Sequence, residues 1–134
     1  MISQGETYQH EFSFTQAEVE QFAKISGDNN PLHLDAEFAS KTLFKKPIIH
    51  GILGASVFSK VLGTQFPGEG TIYIKQNTEF LRPMYVDTVY EALFAVKSID
   101  STKHTALIET VIKNKESGKL TVKGEATVMN NEQF

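Results

Sequence analysis

The sequence predicts an α+β fold: a single domain over residues 1–134 in which a curved antiparallel sheet of about five strands wraps around one long central helix. Three observations lead there. The stretch "HGILGASVFSKVLGTQF", residues 50–66, is apolar or small on almost every side, with Lys60 its only charge after His50. A helix that is apolar all round is normally a buried one. From residue 71 the hydrophobic period changes to two in a series of short runs, as expected of strands with one buried face. The length, 134 residues, suits one domain whose core needs no covalent staple.

Taken in order, "YQHEFSF" predicts a first strand. Thr15 follows as an N-cap with Glu18 three residues on, the pairing of a capping box, so a helix is expected over "TQAEVEQFAKISG". Its apolar positions are Ala17, Val19, Phe22, Ala23 and Ile25, and Gly27 is the expected stop. Proline moves its predecessor out of the helical region, so Asn30-Pro31 predicts a turn. Asp35 can then cap a short helix, "AEFASK", before a break at Pro47. In the central helix Gly51, Gly54, Ala55 and Ser56 would cost helix propensity on a surface, but small residues let a helix lie close to a sheet.

Four strand-like runs follow: "TIYIKQNTEFL", "TVYEALFAVK", "TALIETVIK" and "KLTVKGEATVM". Alternation predicts inner faces made of Ile72, Ile74 and Phe80; Tyr90, Ala92, Phe94 and Val96; Ala106, Ile108 and Ile112; and Leu120, Val122, Ala126 and Val128. Gln76, Asn77 and Thr78 interrupt the apolar pattern, which predicts either a polar-lined cavity or a partly solvated strand. Polar turns, "IDSTK" and "NKESGK", join the later runs as antiparallel neighbours. No internal repeat or linker interrupts the chain.

Composition narrows the function. Hydrophobic residues make up 40% and charged residues 22%, with a net charge of -3, so extensive contact with nucleic acid phosphates is not expected. The absence of cysteine excludes disulfides, thiolate metal sites and cysteine nucleophiles. No signal-like N-terminus or membrane-length apolar run is present, and a cytoplasmic protein is expected. There is no GxGxxG, P-loop or GxSxG, which disfavours nucleotide-dependent chemistry and serine hydrolysis. His33, His50, Asp28 and Asp35 include metal donors, but no recognised ligand spacing, so neither metal nor cofactor is expected.

Chemistry is most plausible in "SGDNNPLHLD", residues 26–35. A histidine flanked by Leu32 and Leu34 is more often a packed residue than a catalyst. Here, however, a carboxylate lies five residues before it, and Pro31 with Ser26, Asn29 and Asn30 can fix a turn that aims Asp28 and His33 at one water. His50 and Gly51 open the central helix, and its first N–H groups can stabilise negative charge on a substrate oxygen. A tight helix start would account for the same pair.

The two segments "FAKISGDNNPLHLD" and "FKKPIIHGILGASVFSKVLG", in this order and continued by "FPGEGTIYIKQNTEFLRPM", closely resemble the MaoC-like (R)-specific enoyl-CoA hydratases of the hot-dog superfamily. The resemblance covers nearly the whole chain. It implies a single hot-dog domain that reversibly adds water to trans-2-enoyl-CoA, giving (R)-3-hydroxyacyl-CoA without a cofactor, with polyhydroxyalkanoate monomer supply as one use. Asp28 and His33 match the family's catalytic pair, Gly51 its backbone donor to the thioester oxygen, and Asn30 its motif asparagine. His50 matches the histidine before that glycine, and Ser59 a serine expected to orient Asp28. Leu62 and Phe66 are candidates for the acyl-tail pocket, with plain core as the competing reading. One departure is "RPMYVDTVY", where relatives usually carry a glycine before the aspartate.

Two other functions fit such a chain. One is a 3-hydroxyacyl dehydratase acting on acyl carrier protein, whose acidic surface would meet Lys41, Lys45 and Lys46. The other is a non-catalytic acyl-CoA-binding module, which would have no use for a water-activating pair. A homodimer with acyl-CoA bound near the subunit interface is expected, because a single such sheet leaves an edge and an apolar face exposed.

Overall fold

The computed structural model describes residues 1–134 and has five strands and four helices in the order β1 (Thr7–Phe12), α1 (Gln16–Ser26), α2 (Pro31–Leu34), α3 (Ala36–Ser40), α4 (Gly51–Thr64), β2 (Ile72–Phe80), β3 (Tyr90–Asp100), β4 (Thr105–Asn114) and β5 (Leu120–Met129). The strands form one antiparallel sheet in the order β1-β3-β4-β5-β2, so β1 and β2 are its edges. This is the expected α+β arrangement. In the sheet's centre the two-residue period holds: Tyr90, Ala92, Phe94, Val96, Ala106, Ile108, Ile112, Val122, Ala126 and Val128 are all buried. Leu120 is only half-buried, at the strand's start.

Helix α1 begins as the sequence indicates. Thr15 accepts from the Glu18 N–H while the Glu18 carboxylate accepts from the Thr15 N–H, and Gly27 ends the helix in the left-handed region at φ 81°. Val19 and Ala23 face the core, but Ala17 and Ile25 lie off that stripe and Ile25 is exposed. The Asn30-Pro31 turn is itself the start of a helical turn. Asn30 accepts from the Leu32 N–H at 3.1 Å, and Pro31 takes the first helical position, where its missing N–H costs nothing. Asp35 caps α3 by accepting from Glu37 and Phe38.

Helix α4 is buried on one side only. Leu53, Val57, Phe58, Val61 and Leu62 pack on the sheet's concave face, whereas Ile52 is 64% exposed and Ser56, Ser59 and Lys60 face outward. The expectation of burial all round is therefore corrected: five strands cover only the sheet-facing half of the helix. Gly54 meets Met84, whose methyl group would lie 1.9 Å from a Cβ at that position.

A second correction concerns β2. Register shifts between Tyr73 and Lys75, where Tyr73 pairs with Val128 and Lys75 with Thr127. Such a bulge moves later side chains to the opposite face. Tyr73, Gln76, Thr78 and Phe80 therefore share the face of Val128, Ala126, Gly124 and Val122, while Ile72 stands on the other side and Ile74 is the extra residue. Ile72, Ile74 and Phe80 are each more than half exposed, because no strand pairs with this edge and α4 covers it only in part.

Gly124 holds β2 against β5. A Cβ there would meet the Asn77 carbonyl oxygen at 1.9 Å, and both partners are backbone. Overpacking that side-chain motion cannot relieve is destabilising by about 1–3 kcal/mol. Gly124→Ala is therefore expected to lower the melting temperature by several degrees, roughly 4–8 °C per kcal/mol in small domains, with hydrogen exchange rising first in β2.

Candidate active site

The loop after α1 is built from short-range bonds. Ser26 Oγ donates to the Phe22 carbonyl and accepts from the Asp28 N–H at 3.1 Å, and the Asn30 N–H reaches Asp28 Oδ1 at 3.4 Å. This leaves Asp28 exposed at the loop's crest. His33, one helical turn further on, is 8% exposed. Its Nδ1 lies 2.8 Å from the Ile48 carbonyl. A carbonyl oxygen only accepts, so Nδ1 carries the proton and Nε2 is the nitrogen left for chemistry.

His50 lies under both. Its Nε2–H donates to the Asp28 carbonyl at 2.9 Å, and its ring stacks on His33 with centroids 3.9 Å apart and planes 29° from parallel. The edge of Phe22 closes the other side at 4.9 Å. Side-chain donor atoms of Asp28, His33 and His50 fall within 4.8 Å of one another. The set contains metal-ligating residue types, but its geometry suits one ion poorly: lone pairs of imidazole nitrogens lie in the ring plane, and two stacked rings direct them side by side.

Immediately after His50, α4 begins at Gly51. The His50 side chain does not cap it, and the Gly51 N–H has no acceptor within the fold. The segment is pinned by Ile49 N–H to the Met84 carbonyl, 2.8 Å, and by Ile48 N–H to the Leu32 carbonyl, 3.3 Å. A Cβ on Gly51 would lie 2.8 Å from the Phe80 ring, so the missing side chain lets β2 approach the helix end.

Two cavities flank this point. An apolar one of about 410 Å³ is lined by Phe44, Ile48, Gly51, Ile52, Phe80 and Met84, among others. The second, about 630 Å³, runs along the outer side of α4 past Ser56 and Ser59 to Tyr73, Gln76 and Thr78. Both include Ile52 and Phe80, so they form one groove along the uncovered face of the helix. The polar interruption in β2 lines it: Gln76 donates to Thr110 Oγ1 at 3.0 Å, and Tyr73 donates to Gln76. Burial away from water raises the Tyr73 phenol to about 12, so at neutral pH it is an uncharged donor.

The structure thus brings together Asp28, His33, His50 and Gly51, and places Asn30 as the cap of the turn between the first two. Three expectations are corrected. Ser59 makes no hydrogen bond to Asp28; it lies on the exposed side of α4, in the second cavity. Leu62 and Phe66 are 1% and 5% exposed core residues that line neither cavity, Phe66 stacking on Tyr8 at 5.3 Å. Both point into the sheet, where helical spacing alone could not distinguish core from pocket. Phe80 and Met84, which do line the groove, come from β2 and the loop after it; the change of period at Gln76 was the one signal in the sequence that pointed to this strand. The missing glycine in "RPMYVDTVY" is accommodated by Asp87, which itself adopts φ 55° and donates its N–H to the Phe14 carbonyl. Of the lysines, Lys41 lies 4.0 Å from Glu37, Lys46 sits 4.5 Å from the Tyr85 ring centroid, and Lys45 and Lys46 pair with no carboxylate.

No helix of the chain is long and apolar enough to cross a membrane. Residues 2–129 match the MaoC like domain family. The chain is 45% identical over 115 residues to the (R)-specific enoyl-CoA hydratase of Aeromonas caviae, covering 86% of this chain and 85% of that one. It is 34% identical over 128 residues to the enzyme of the same name from Rhodospirillum rubrum, covering 96% and 88%. Among solved structures, the A. caviae (R)-hydratase involved in PHA biosynthesis superposes with a TM-score of 0.91 at 41% identity, over 96% of both chains. With the five-stranded sheet around α4 and the histidine-glycine pair at the helix start, these likenesses have one reading: the chain belongs to the MaoC-like family and has its hot-dog fold.

Proposed function

We propose that this protein is an (R)-specific enoyl-CoA hydratase, a hydro-lyase that adds water reversibly to trans-2-enoyl-CoA. The observation that carries the reading is the convergence of Asp28 and His33 on His50, the residue immediately before the unpaired Gly51 N–H. The carboxylate of Asp28 and, in the Nδ1–H tautomer, the bare Nε2 of His33 are both acceptors, so one water can donate a hydrogen to each and present its oxygen to C3. Asp28 removes a proton as that oxygen attacks, with His33 as its proton-transfer partner, and the proton returns to C2. Negative charge gathers on the thioester oxygen, where the Gly51 N–H and the α4 terminus stabilise it. No cofactor enters, and the acyl chain and pantetheine arm share the groove along α4. The test is hydration of crotonyl-CoA with chiral analysis of the product: (R)-3-hydroxybutyryl-CoA supports the assignment, and the (S) isomer or no turnover rejects it. The A. caviae hydratase is involved in PHA biosynthesis, and the product here would serve as (R)-3-hydroxyacyl monomer for such a polymer.

A second reading, dehydration of 3-hydroxyacyl groups on acyl carrier protein, has two observations in its favour. The chain is 27% identical over 131 residues to a mitochondrial 3-hydroxyacyl-[acyl-carrier-protein] dehydratase of Arabidopsis thaliana, and Lys45 and Lys46, neither paired with a carboxylate, directly follow Phe44 of the apolar cavity in the chain. A ratio of kcat/KM above one for carrier-protein over CoA thioesters would select it.

The uncovered edge and groove favour a homodimer, with the site near the interface. Exposed Ile52, Ile72, Ile74 and Phe80 line one side of the molecule, and pairing β2 with its copy would continue the sheet. Sedimentation equilibrium is expected to give twice 15.0 kDa, and Ile72→Lys to shift the species toward the single-chain mass.

A further inference from the structure

We propose that His50 is a positioning residue for the reaction, holding Asp28 and His33 in register with the Gly51 N–H. The inference rests on the reading of Asp28 and His33 as the reacting pair. Asp28 is otherwise tied only to its immediate neighbours: its N–H to Ser26 and its carboxylate to the Asn30 N–H. The sole bond that reaches it from elsewhere in the chain is the one from His50 Nε2, 22 residues away, to its carbonyl oxygen at 2.9 Å. An exposed loop held by local bonds keeps its shape but not its place, and the His50 bond supplies the place. The same ring, 2% exposed, lies 3.9 Å from that of His33, so it limits the tilt of the imidazole that Ile48 has already fixed at Nδ1. Its own backbone leads directly into Gly51. One side chain thus touches both members of the pair, and the next residue carries the donor for the developing oxyanion.

Packing does not account for this residue. His50 Nδ1 is buried with no partner, an arrangement that an apolar ring of similar shape would avoid. What the imidazole offers beyond shape is the Nε2–H aimed at Asp28, at the expense of a second nitrogen left unpaired.

Two variants separate donor from shape. His50→Phe keeps an aromatic ring between Phe22 and His33 but removes the donor; His50→Gln keeps a side-chain N–H but removes the ring. Misplacement of a reacting group by about 1 Å costs on the order of 10²-fold. With crotonyl-CoA, His50→Phe is therefore expected to lower kcat by roughly 30- to 100-fold with KM changed less than about threefold, and His50→Gln to recover at least about tenfold of that loss. If His50 acts through Asp28, adding His50→Phe to Asp28→Asn costs little more than Asp28→Asn alone. Full kcat in His50→Phe overturns the proposal, as do equal losses in both variants that track their melting temperatures, or additive losses in the double variant. Should Asp28→Asn itself retain activity, the underlying reading of the pair fails instead, and the single-variant data show which of the two has failed.

Discussion

Asp28→Asn is expected to lower the hydration rate of crotonyl-CoA by about 10³-fold, within the range that a positioned acid or base contributes, and to leave the melting temperature nearly unchanged. The two halves of that expectation have separate causes. Asparagine cannot take a proton from water, yet it can keep the bond from Asn30 N–H to the side-chain oxygen at this position, and the contact from His50 goes to the backbone carbonyl, which the substitution leaves in place. Because Asp28 is exposed, replacing it costs little folding free energy; surface changes of this kind lie within about 0.5 kcal/mol. Steady-state kinetics with a thermal melt checks both, and wild-type turnover in Asp28→Asn would remove the carboxylate from the mechanism.

For His33→Gln the expected rate loss is about 10²- to 10³-fold, now with a measurable stability cost. His33 is buried, and its Nδ1–H donates to the Ile48 carbonyl at 2.8 Å. A glutamine that fails to reproduce this bond leaves a buried carbonyl unpaired, at about 1–3 kcal/mol. The melting temperature should fall by several degrees while the far-UV spectrum stays that of an α+β protein. The rate must then be measured well below the melting transition, so that loss of the proton-transfer group is not confused with loss of folded enzyme. Combining this substitution with Asp28→Asn should cost far less than the product of the single effects, because groups that work on one water are not independent.

What the sequence conveyed follows physical range. Interactions spanning a few residues were legible: the capping box of Thr15 and Glu18, the left-handed Gly27, the cap at Asp35 and the alternation of the central strands β3, β4 and β5. Asp28 and His33 belong with these, since five residues around a proline determine how they face each other. Features that depend on partners distant in the chain were not legible. Leu62 and Phe66 were candidates for the pocket because a helix pattern identifies a stripe but not what lies opposite it. Straight alternation turns Ile72 and Ile74 inward, and the bulge that reverses this is visible only in the pairing with β5. The contact between His50 and Asp28 joins two motifs that the sequence presents separately.

The bulge in β2 makes that strand a reading frame. Upstream of it the outward residue is Ile72, on the side of the bare edge; downstream the inward set is Gln76, Thr78 and Phe80, toward the groove and the end of α4. Substituting any one of them alters one contact. Removing Ile74 would only erase the bulge, since Tyr73 and Lys75 already pair with the consecutive residues Val128 and Thr127, whereas removing a residue past it, such as Asn77, would turn Glu79 toward the groove and Phe80 away from it if Gln76 keeps its place. Drift in this family member should therefore proceed by exchange of side chains along β2, while changes in its length past Ile74 are purged even though they fall on the most exposed strand of the sheet.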